Sequence, residues 1–202
     1  DNPYLTMAYE AEAVIVAEIG KFVANGGLYR GSKPVMWSVV EKTALAEAEI
    51  EYEDHVSDTI WVKFPVMASP VQELAGSSVV IWTTTPWTIP GNRALAAGAG
   101  IDYVALEVKS VADGAKAKPG DRLIVAEALL SQFQNDAAIT GSKVFWRGKG
   151  AALVGSECRH PLHGKGYDFA VKVFAGDFVT TEDGTGIVHI APGHGTDDYE
   201  LG

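Results

Sequence analysis

The sequence predicts a mixed α/β fold that is mainly β, with a barrel-like antiparallel or mixed sheet as its core and helices at its periphery. Three observations lead to this prediction. A helical pattern lies near the start of the chain, apolar residues then recur with a period of two, and turn signals separate many short apolar segments. Many strands with few crossover helices favour a sheet that curls on itself.

Helices are predicted where apolar residues recur at spacings of three and four, or where helix-forming residues dominate. Residues 8–25 show the amphipathic spacing, which ends at the glycine pair 26–27. A short helix is predicted from Glu41 to Glu49, where Ala and Glu dominate. Another is predicted from Ala126 to Phe133.

Strands are predicted from Ile50 onward, where the apolar period changes to two. Ile50 and Tyr52 begin this alternation, which continues through Ile60 to Phe64. Residues 78–82 form a continuous apolar run, which is typical of a strand buried on both faces. Further strands are predicted at residues 103–109, 122–126, 143–147, 169–174 and 186–191.

Composition limits the classes of function. The 202 residues are enough for one domain with an appendage, and 47% of them are hydrophobic. A net charge of −10 argues against a protein that binds long nucleic acid through its phosphates. If nucleic acid is a partner, we expect another part of a larger protein to supply most of the binding surface.

The chain lacks the patterns of membrane and secreted proteins. No apolar stretch is long enough to span a bilayer, and the N-terminus has no signal-peptide pattern, so a cytoplasmic location is predicted. The single cysteine, Cys158, excludes an internal disulfide and a zinc site of several cysteines, and we expect it to be a buried apolar residue. From its first and last residues we expect a piece of a longer polypeptide.

The first unusual stretch is TTTPWTIPGN, residues 83–92. Three threonines continue the strand at 78–82, and Pro86 ends its pairing because proline has no N–H to donate. Hydroxyls at a strand end beside an irregular loop can line a pocket for an oxygen-rich ligand. The alternative is that threonines simply suit strands and that the loop is only a turn.

The second unusual stretch is EDGTGIVHIAPGHGTDDYELG, residues 182–202. Asp197 and Asp198 open a predicted helix, where capping and the helix dipole can explain one of them. His189 and His194 raise the possibility of a metal site, but no metal-binding spacing is present, so we expect neither metal nor cofactor. A serine nucleophile is also disfavoured, because no G-x-S-x-G motif occurs.

Together, TTTPWTIPGN and GTGIVHIAPGHGTDDY resemble the editing domain of isoleucyl-tRNA synthetase, a class I synthetase whose insertion hydrolyses mischarged valyl-tRNA. The leucyl and valyl enzymes have arginine where this chain has Thr85, and they lack the Val-His step at 188–189. The flanks NPYLTMAYEAEA, GLYRGSKPVMWS and TALAEAEIEY also resemble that family. The resemblance implies a helical connecting segment toward the synthetic domain at residues 1–49 and the barrel-like editing domain at 50–202.

The resemblance also implies roles for individual residues. Asp198 is implied to hold the substrate's α-ammonium group, and His189 to lie against the amino-acid side chain and exclude isoleucine. Contacts to the aminoacyl group, the terminal adenosine and the hydrolytic water are implied for four catalytic residues, Thr83, Thr84, Thr85 and Asn92, besides Asp198. Four residues besides His189 are implied to bind substrate: Trp87, Thr88, His194 and Asp197.

The chain departs from the family pattern in two places. Many relatives have a Cys-x-x-Cys pair after the tryptophan, whereas Trp37 is followed here by Ser-Val-Val-Glu. The HIGH-like and KMSKS-like motifs of the synthetic site are missing, so this piece is not expected to aminoacylate tRNA. No protein general base is evident, which suggests that a ribose hydroxyl of the substrate takes part.

The implied partners are the aminoacylated 3′ end of isoleucine tRNA and the synthetic domain of the parent enzyme, without a membrane. The fragment itself is expected to be monomeric. Two other interpretations stay open. One is a noncatalytic tRNA-binding or structural insertion, and the other is a small metal-dependent hydrolase.

Overall fold

The computed structural model describes residue 3 and residues 5–202. Asp1, Asn2 and Tyr4, which belong to the predicted connecting segment, lie outside the described residues. The chain divides into two compact units, Asp1–Lys33 and Pro34–Gly202.

The first unit contains helix α1, Tyr9–Ala24, as the apolar spacing predicts. Asn25 leaves the helical conformation, and Gly26 follows with a φ of +79°, which residues with a Cβ rarely adopt. The apolar side chains of α1 are exposed, Ile15, Ile19 and Phe22 among them. No helix in the described part of the chain is long and apolar enough to cross a membrane.

Two predictions for residues 34–59 are wrong. The helix predicted from Glu41 to Glu49 is wrong, because β1 (Trp37–Ser38) pairs with β2 (Thr43–Ala44) and a 3-10 turn follows at Glu47–Glu49. Lys42, at a φ of +56°, closes the turn of this hairpin, so helix propensity over so short a segment does not decide its structure. The strand predicted from Ile50 is also wrong, because the alternation there faces solvent and the next strand begins at Ile60.

The second unit is built on a mixed sheet of nine strands within the described residues. In chain order the strands are β3 (Ile60–Ala68), β4 (Ser78–Thr83), β5 (Ala94–Ala97), β6 (Asp102–Val111), β7 (Arg122–Ala126), β8 (Ile139–Lys149), β9 (Glu157–Arg159), β10 (Ala170–Ala175) and β11 (Ile187–Ile190). Their spatial order is β11-β5-β10-β9-β3-β4-β7-β6-β8. The β5–β10 and β4–β7 pairs are parallel, and the others are antiparallel.

The sheet curls, because strands far apart in its order share one core. Leu95 of β5 and Ile187 of β11 pack in the same buried cluster as Ile81 of β4 and Ile124 of β7. The edge strands β11 and β8 are not paired with each other among the described strands, so the barrel is open. The prediction of a mainly β, barrel-like mixed sheet is confirmed in this open form.

The central strands are buried on both faces, as residues 78–82 predicted. Val79 and Ile81 belong to the core inside the curl, whereas Val80 belongs to a second cluster outside it. Helix α2, Leu130–Asp136, covers this outer cluster with Phe133. The helix predicted from Ala126 to Phe133 therefore starts later, after a 3-10 turn at Glu127–Leu129.

Two strands of the nine-stranded sheet escaped prediction. β5 consists of Ala-Leu-Ala-Ala, which has little β propensity, and β9 has only three residues. Both are strands because they pair with β10, which lies between them. Tertiary pairing overrides local propensity at these positions.

Candidate functional site

The two unusual stretches meet at one cavity of about 260 Å³ in the second unit. One wall comes from the end of β4 and the 3-10 turn Pro86–Gly91 that follows it. The other comes from β11, the loop after it and helix α3, Thr196–Leu201. The cavity is lined by Trp82, Thr83, Thr84, Thr85, Thr88, Val188, His189, Ala191, His194 and Asp198.

Seven of the ten residues predicted for the site line this cavity: Thr83, Thr84, Thr85, Thr88, His189, His194 and Asp198. Three do not. Trp87 is 64% exposed, and Asp197 is exposed on the first turn of α3. Asn92 is fully buried, where its Nδ2 donates to the Ala94 carbonyl at 2.8 Å. Its Oδ1 has no hydrogen-bond partner among the described residues.

The threonines at the end of β4 are held by their own hydrogen bonds. Thr83 is 7% exposed, and its Oγ1 accepts from the Thr85 backbone N–H at 3.1 Å. The hydroxyls of Thr83 and Thr85 lie 3.1 Å apart, within hydrogen-bond distance. Thr84 follows the last residue of β4 and is exposed. The chain leaves the sheet here with its hydroxyls at the cavity.

Thr88 connects the threonine turn to His189. The Thr88 hydroxyl donates to the Thr85 carbonyl at 2.8 Å, and its oxygen lies 3.0 Å from His189 Nε2. Because the hydroxyl hydrogen is already donated, the Thr88 oxygen accepts the second bond and His189 donates from Nε2. Thr88 therefore selects the tautomer in which His189 Nδ1 is the acceptor.

His189 is neutral in this environment. Burial lowers the pKa of its imidazole, and the charges of His194 and His160 lower it further, whereas the Asp198 carboxylate partly opposes them. Its Nδ1 is buried and has no hydrogen-bond partner among the described residues. The ring presents a neutral surface, which does not repel a cationic ligand.

Asp198 supplies the carboxylate of the cavity. Its Oδ1 accepts from the Ala191 backbone N–H at 2.7 Å, which ties α3 to the end of β11. It does not cap α3, whose N-cap is Gly195, so the capping explanation is wrong for this residue. Gly195 lets the carboxylate approach closely, because a Cβ built there would lie 2.5 Å from Asp198 Oδ2.

The geometry gives no support to metal or thiol chemistry. No cluster of three or more His, Cys, Asp or Glu side chains in the described part of the chain is arranged to hold a metal ion. Cys158 is buried, as expected, and burial raises the pKa of its thiol to about 12. A thiol with so high a pKa stays protonated and is a poor nucleophile.

Comparison with known proteins assigns the chain to a family. The model of class I tRNA synthetases (I, L, M and V) matches residues 1–176. The chain belongs to the class I tRNA synthetase family. The isoleucine–tRNA ligase of Gluconobacter oxydans is 53% identical over 99% of this chain, and that of Rhodopseudomonas palustris is 54% identical over 100%. These matches confirm the resemblance inferred from the two stretches.

This class I synthetase chain spans only about a fifth of the length of those relatives, 21% and 20%. Among solved structures it is similar to the crystal structure of GlLeuRS-CP1, with a TM-score of 0.56 and 18% identity. That match covers 71% of this chain and 58% of the other, and it shows a shared fold.

Sequence reasoning missed three residues that line the cavity, Trp82, Val188 and Ala191. The first two had a detectable signal, since Trp82 directly precedes the threonines and Val188 precedes His189 on β11. Ala191 had none, because alanine after a strand is unremarkable. In this synthetase chain these residues supply the apolar part of an otherwise polar cavity.

Proposed function

We propose that this chain is the editing domain of an isoleucine–tRNA ligase, which hydrolyses valyl-tRNA formed on isoleucine tRNA and spares isoleucyl-tRNA. The observation that carries the proposal is the composition of the cavity between the end of β4 and α3. One carboxylate, a neutral imidazole and a row of threonine hydroxyls converge there, 1 Asp, 2 His and 4 Thr side chains in all. An aminoacyl ester needs a site for its ammonium group, one for its carbonyl and one for its side chain.

Asp198 binds the α-ammonium group in this proposal. An ammonium–carboxylate contact is charge-assisted, and it fixes the ester in the pocket. Asp198 Oδ1 is held by the Ala191 N–H, which leaves Oδ2 for the substrate. A neutral His189 supports this assignment, since an imidazolium beside Asp198 would compete with the ammonium group.

The cavity acts as a size filter for the amino-acid side chain. Valine lacks one methylene of isoleucine, and a hydrophobic pocket discriminates against that absence by only about 1–3 kcal/mol, a limit for which isoleucine–tRNA ligases are the usual example. A second, smaller site overcomes the limit by admitting valine and excluding isoleucine. His189, Val188 and Thr88 form the wall that we assign to this exclusion.

The threonine hydroxyls bind the reacting ester and the attacking water. The water oxygen bonds to the ester carbonyl carbon, the bond from that carbon to the ribose oxygen breaks, and the products are valine and a free ribose hydroxyl. Positioning and stabilisation of the oxyanion suffice for an activated ester. Thr83, Thr84 and Thr85 are assigned to these contacts, with Asn92 fixing the end of their loop.

The proton of the attacking water passes to the substrate, because the protein groups nearest the ester are engaged. His189 donates its Nε2–H to Thr88 while its Nδ1 is buried, and Asp198 binds the ammonium group. We assign the vicinal ribose hydroxyl of the terminal adenosine as the relay, which accepts this proton and passes its own hydrogen to the leaving ribose oxygen. Deacylation of tRNA ending in 2′- or 3′-deoxyadenosine should then be strongly slowed, and a normal rate on both would contradict this step.

The proposal also includes binding partners and a cellular location. The aminoacylated 3′ end of isoleucine tRNA enters the cavity, and residues 1–49 connect the editing domain at 50–202 to the synthetic domain of the same protein. Trp87 and His194 lie in the two loops, Asp197 lies on the first turn of α3, and all three are assigned to the adenosine end. Such a domain works in the cytoplasm and needs no second copy of itself.

The experiment that tests the proposal measures deacylation of valyl-tRNA and isoleucyl-tRNA, both on the isoleucine acceptor, by the full-length ligase that contains this chain. Valine release well above isoleucine release, lost in Asp198→Ala, is the expected result. Equal rates, or rates unaffected by the substitution, would favour a noncatalytic insertion. Rates abolished by a chelator would favour a metal-dependent hydrolase.

A further inference from the structure

A second buried histidine contacts the threonine turn from the side of the protein core. His160 follows β9 directly and is 1% exposed. Its Nε2 lies 3.1 Å from the carbonyl oxygen of Ile89, which belongs to the turn Pro86–Gly91. Sequence gave no sign of this contact, since 71 positions separate the two residues.

The hydrogen bonds of His160 specify one tautomer. The Leu162 backbone N–H donates to His160 Nδ1 at 3.0 Å. Nδ1 is therefore the acceptor, and Nε2 carries the hydrogen that is donated to Ile89. The neutral ring satisfies both contacts at once, and burial lowers the pKa of the imidazole, with the Arg93 charge acting in the same direction.

Aromatic side chains hold the His160 ring in this orientation. Tyr167 stacks on it with ring centroids 4.7 Å apart and an interplanar angle of 14°. Phe169 is tilted against it at 5.5 Å, and Phe64 contacts it edge-on at 6.2 Å. A ring packed on three sides cannot rotate to follow the turn, so the turn is held by the ring.

A second anchor acts on the other end of the turn. Arg93 donates from Nη1 to the Asn92 carbonyl at 2.7 Å, and its guanidinium lies 4.8 Å from the centre of the Phe169 ring. The same aromatic cluster therefore supports both anchors. These contacts matter because Pro86 and Pro90 provide no N–H groups for bonds within the turn.

We propose that His160 and Arg93 are positioning residues, which hold the Ile89 and Asn92 carbonyls and thereby keep Thr88 aligned with His189 in the cavity. Ile89 directly follows Thr88, and its carbonyl also accepts the Asn92 N–H at 3.0 Å. Loss of either anchor frees the turn, and the bond between Thr88 and His189 is the contact that then weakens. The catalytic consequence rests on the proposed function, whereas the alignment of the turn does not.

Two amide substitutions of His160 separate positioning from packing. Asparagine places its amide near the position of Nδ1, so His160→Asn can keep the Leu162 contact but does not reach Ile89. Glutamine places its amide near the position of Nε2, so His160→Gln can keep the donor to Ile89. Both remove the ring, and both are expected to lower the melting temperature.

Activity is expected to distinguish them in the full-length ligase. His160→Asn should lower kcat for valyl-tRNA deacylation about tenfold with KM little changed, because the turn is misplaced while the tRNA-binding surface is intact. His160→Gln should recover kcat to within about threefold of the wild type, since it restores the donor. Equal losses in both variants, following their loss of stability, would overturn the proposal in favour of packing.

Arg93→Met tests the second anchor in an exposed side chain. Methionine keeps an apolar stem on Phe169 and removes the donor to Asn92. We expect kcat to fall about threefold with an unchanged melting temperature. An unchanged kcat would remove Arg93 from the proposal, and this variant serves as the test if His160→Asn does not fold.

Hydrogen exchange and nitrogen-15 NMR keep this inference separate from the proposed function. Amide exchange at residues 85–92 should speed up in His160→Asn and Arg93→Met. The NMR signal of the His189 Nε2–H should weaken in both variants, because this hydrogen then exchanges faster with water. If the wild type does not deacylate valyl-tRNA, the proposed function fails, yet these two readouts still decide the alignment of the turn. Unchanged exchange and an unchanged His189 signal would overturn the alignment.

Discussion

Two cavities of the sheet unit differ in size and in chemistry. The larger, about 440 Å³, lies beside α2 and has apolar walls such as Val80, Leu123 and Phe133. Two of its charged residues, Lys63 and Asp121, neutralise each other in an ion pair of 3.0 Å. In the smaller cavity, which most of the predicted site residues line, Asp198 has no cationic partner among the described residues. The threonine hydroxyls of this cavity face the same space.

This difference teaches that volume does not locate a site for a polar substrate. Cavity size reports where side chains fail to fill space, whereas unpaired and convergent polar groups report where a ligand completes the structure. The two cavities also differ in origin. The larger is built from residues 59–138, and the smaller joins segments that are about a hundred positions apart.

The strongest test of the comparison replaces one carboxylate in each cavity. Asp198→Asn keeps an oxygen for the Ala191 N–H and removes the charge, so valyl-tRNA deacylation should fall about a hundredfold because the ammonium group loses its partner. Asp136→Asn, the matched change in the larger cavity, should keep the wild-type rate. Similar losses of activity in both variants would contradict the assignment of Asp198 to the ammonium group. Single-turnover deacylation by the full-length ligase measures both.

A smaller effect is expected from the link between Thr88 and His189. Thr88→Val removes the acceptor of His189 Nε2–H and the donor to the Thr85 carbonyl, and should lower kcat/KM about tenfold, because a buried donor loses its partner. Thr88→Ser keeps the hydroxyl and should stay within about threefold of the wild type. Comparison of the two variants with valyl-tRNA tests this, and equal rates would show that the hydroxyl has no role.

Acidification should lower the rate of valyl-tRNA deacylation a few-fold. The folded protein lowers the pKa of His189 and His160 below their usual value near 6.5, so the unfolded chain takes up protons first. The contribution of these two histidines to the free energy of unfolding is therefore full above about pH 6.5. It is lost as the pH drops from there through the folded pKa values. Activity should fall in the same range, because protonated His189 repels the substrate's ammonium group.

Melting temperature and kcat between pH 7.5 and 5 check this dependence. The exposed His55 provides a control, since His55→Gln should leave both profiles as in the wild type. A melting temperature that stays flat between about pH 6.5 and 5 in the wild type would contradict lowered pKa values for the two imidazoles.

The smallest effect on selectivity is expected in the larger cavity. Phe133 is 2% exposed, and Phe133→Ala should cost about 3–5 kcal/mol of stability by leaving a void. The ratio of valine to isoleucine release should nevertheless stay as in the wild type, because no substrate contact is assigned to this cavity. Lys116→Ala, at its exposed rim, should change neither quantity. A changed ratio would mean that the two cavities are coupled.

Much of the fold could be predicted, because periodic burial leaves a pattern in the chain. Helix α1 and the strands around Val80, Val104 and Ile124 follow from apolar spacing. β5 could not be predicted, since its alanines form a strand only by pairing with β10 and β11. The helix predicted at residues 41–49 was wrong, because the weak helix propensity of so short a segment does not prevent a hairpin from forming.

The sequence by itself determined the chemical types at the site and the family. The threonine row, His189 and Asp198 lie in two unusual stretches, and the resemblance of those stretches to a known family assigns them to one site. Tertiary structure alone decided how these groups are paired. The tautomer of His189 depends on a contact across 101 positions, and the anchoring of the turn by His160 depends on one across 71 positions. A pattern of neighbouring residues carries no information about such contacts.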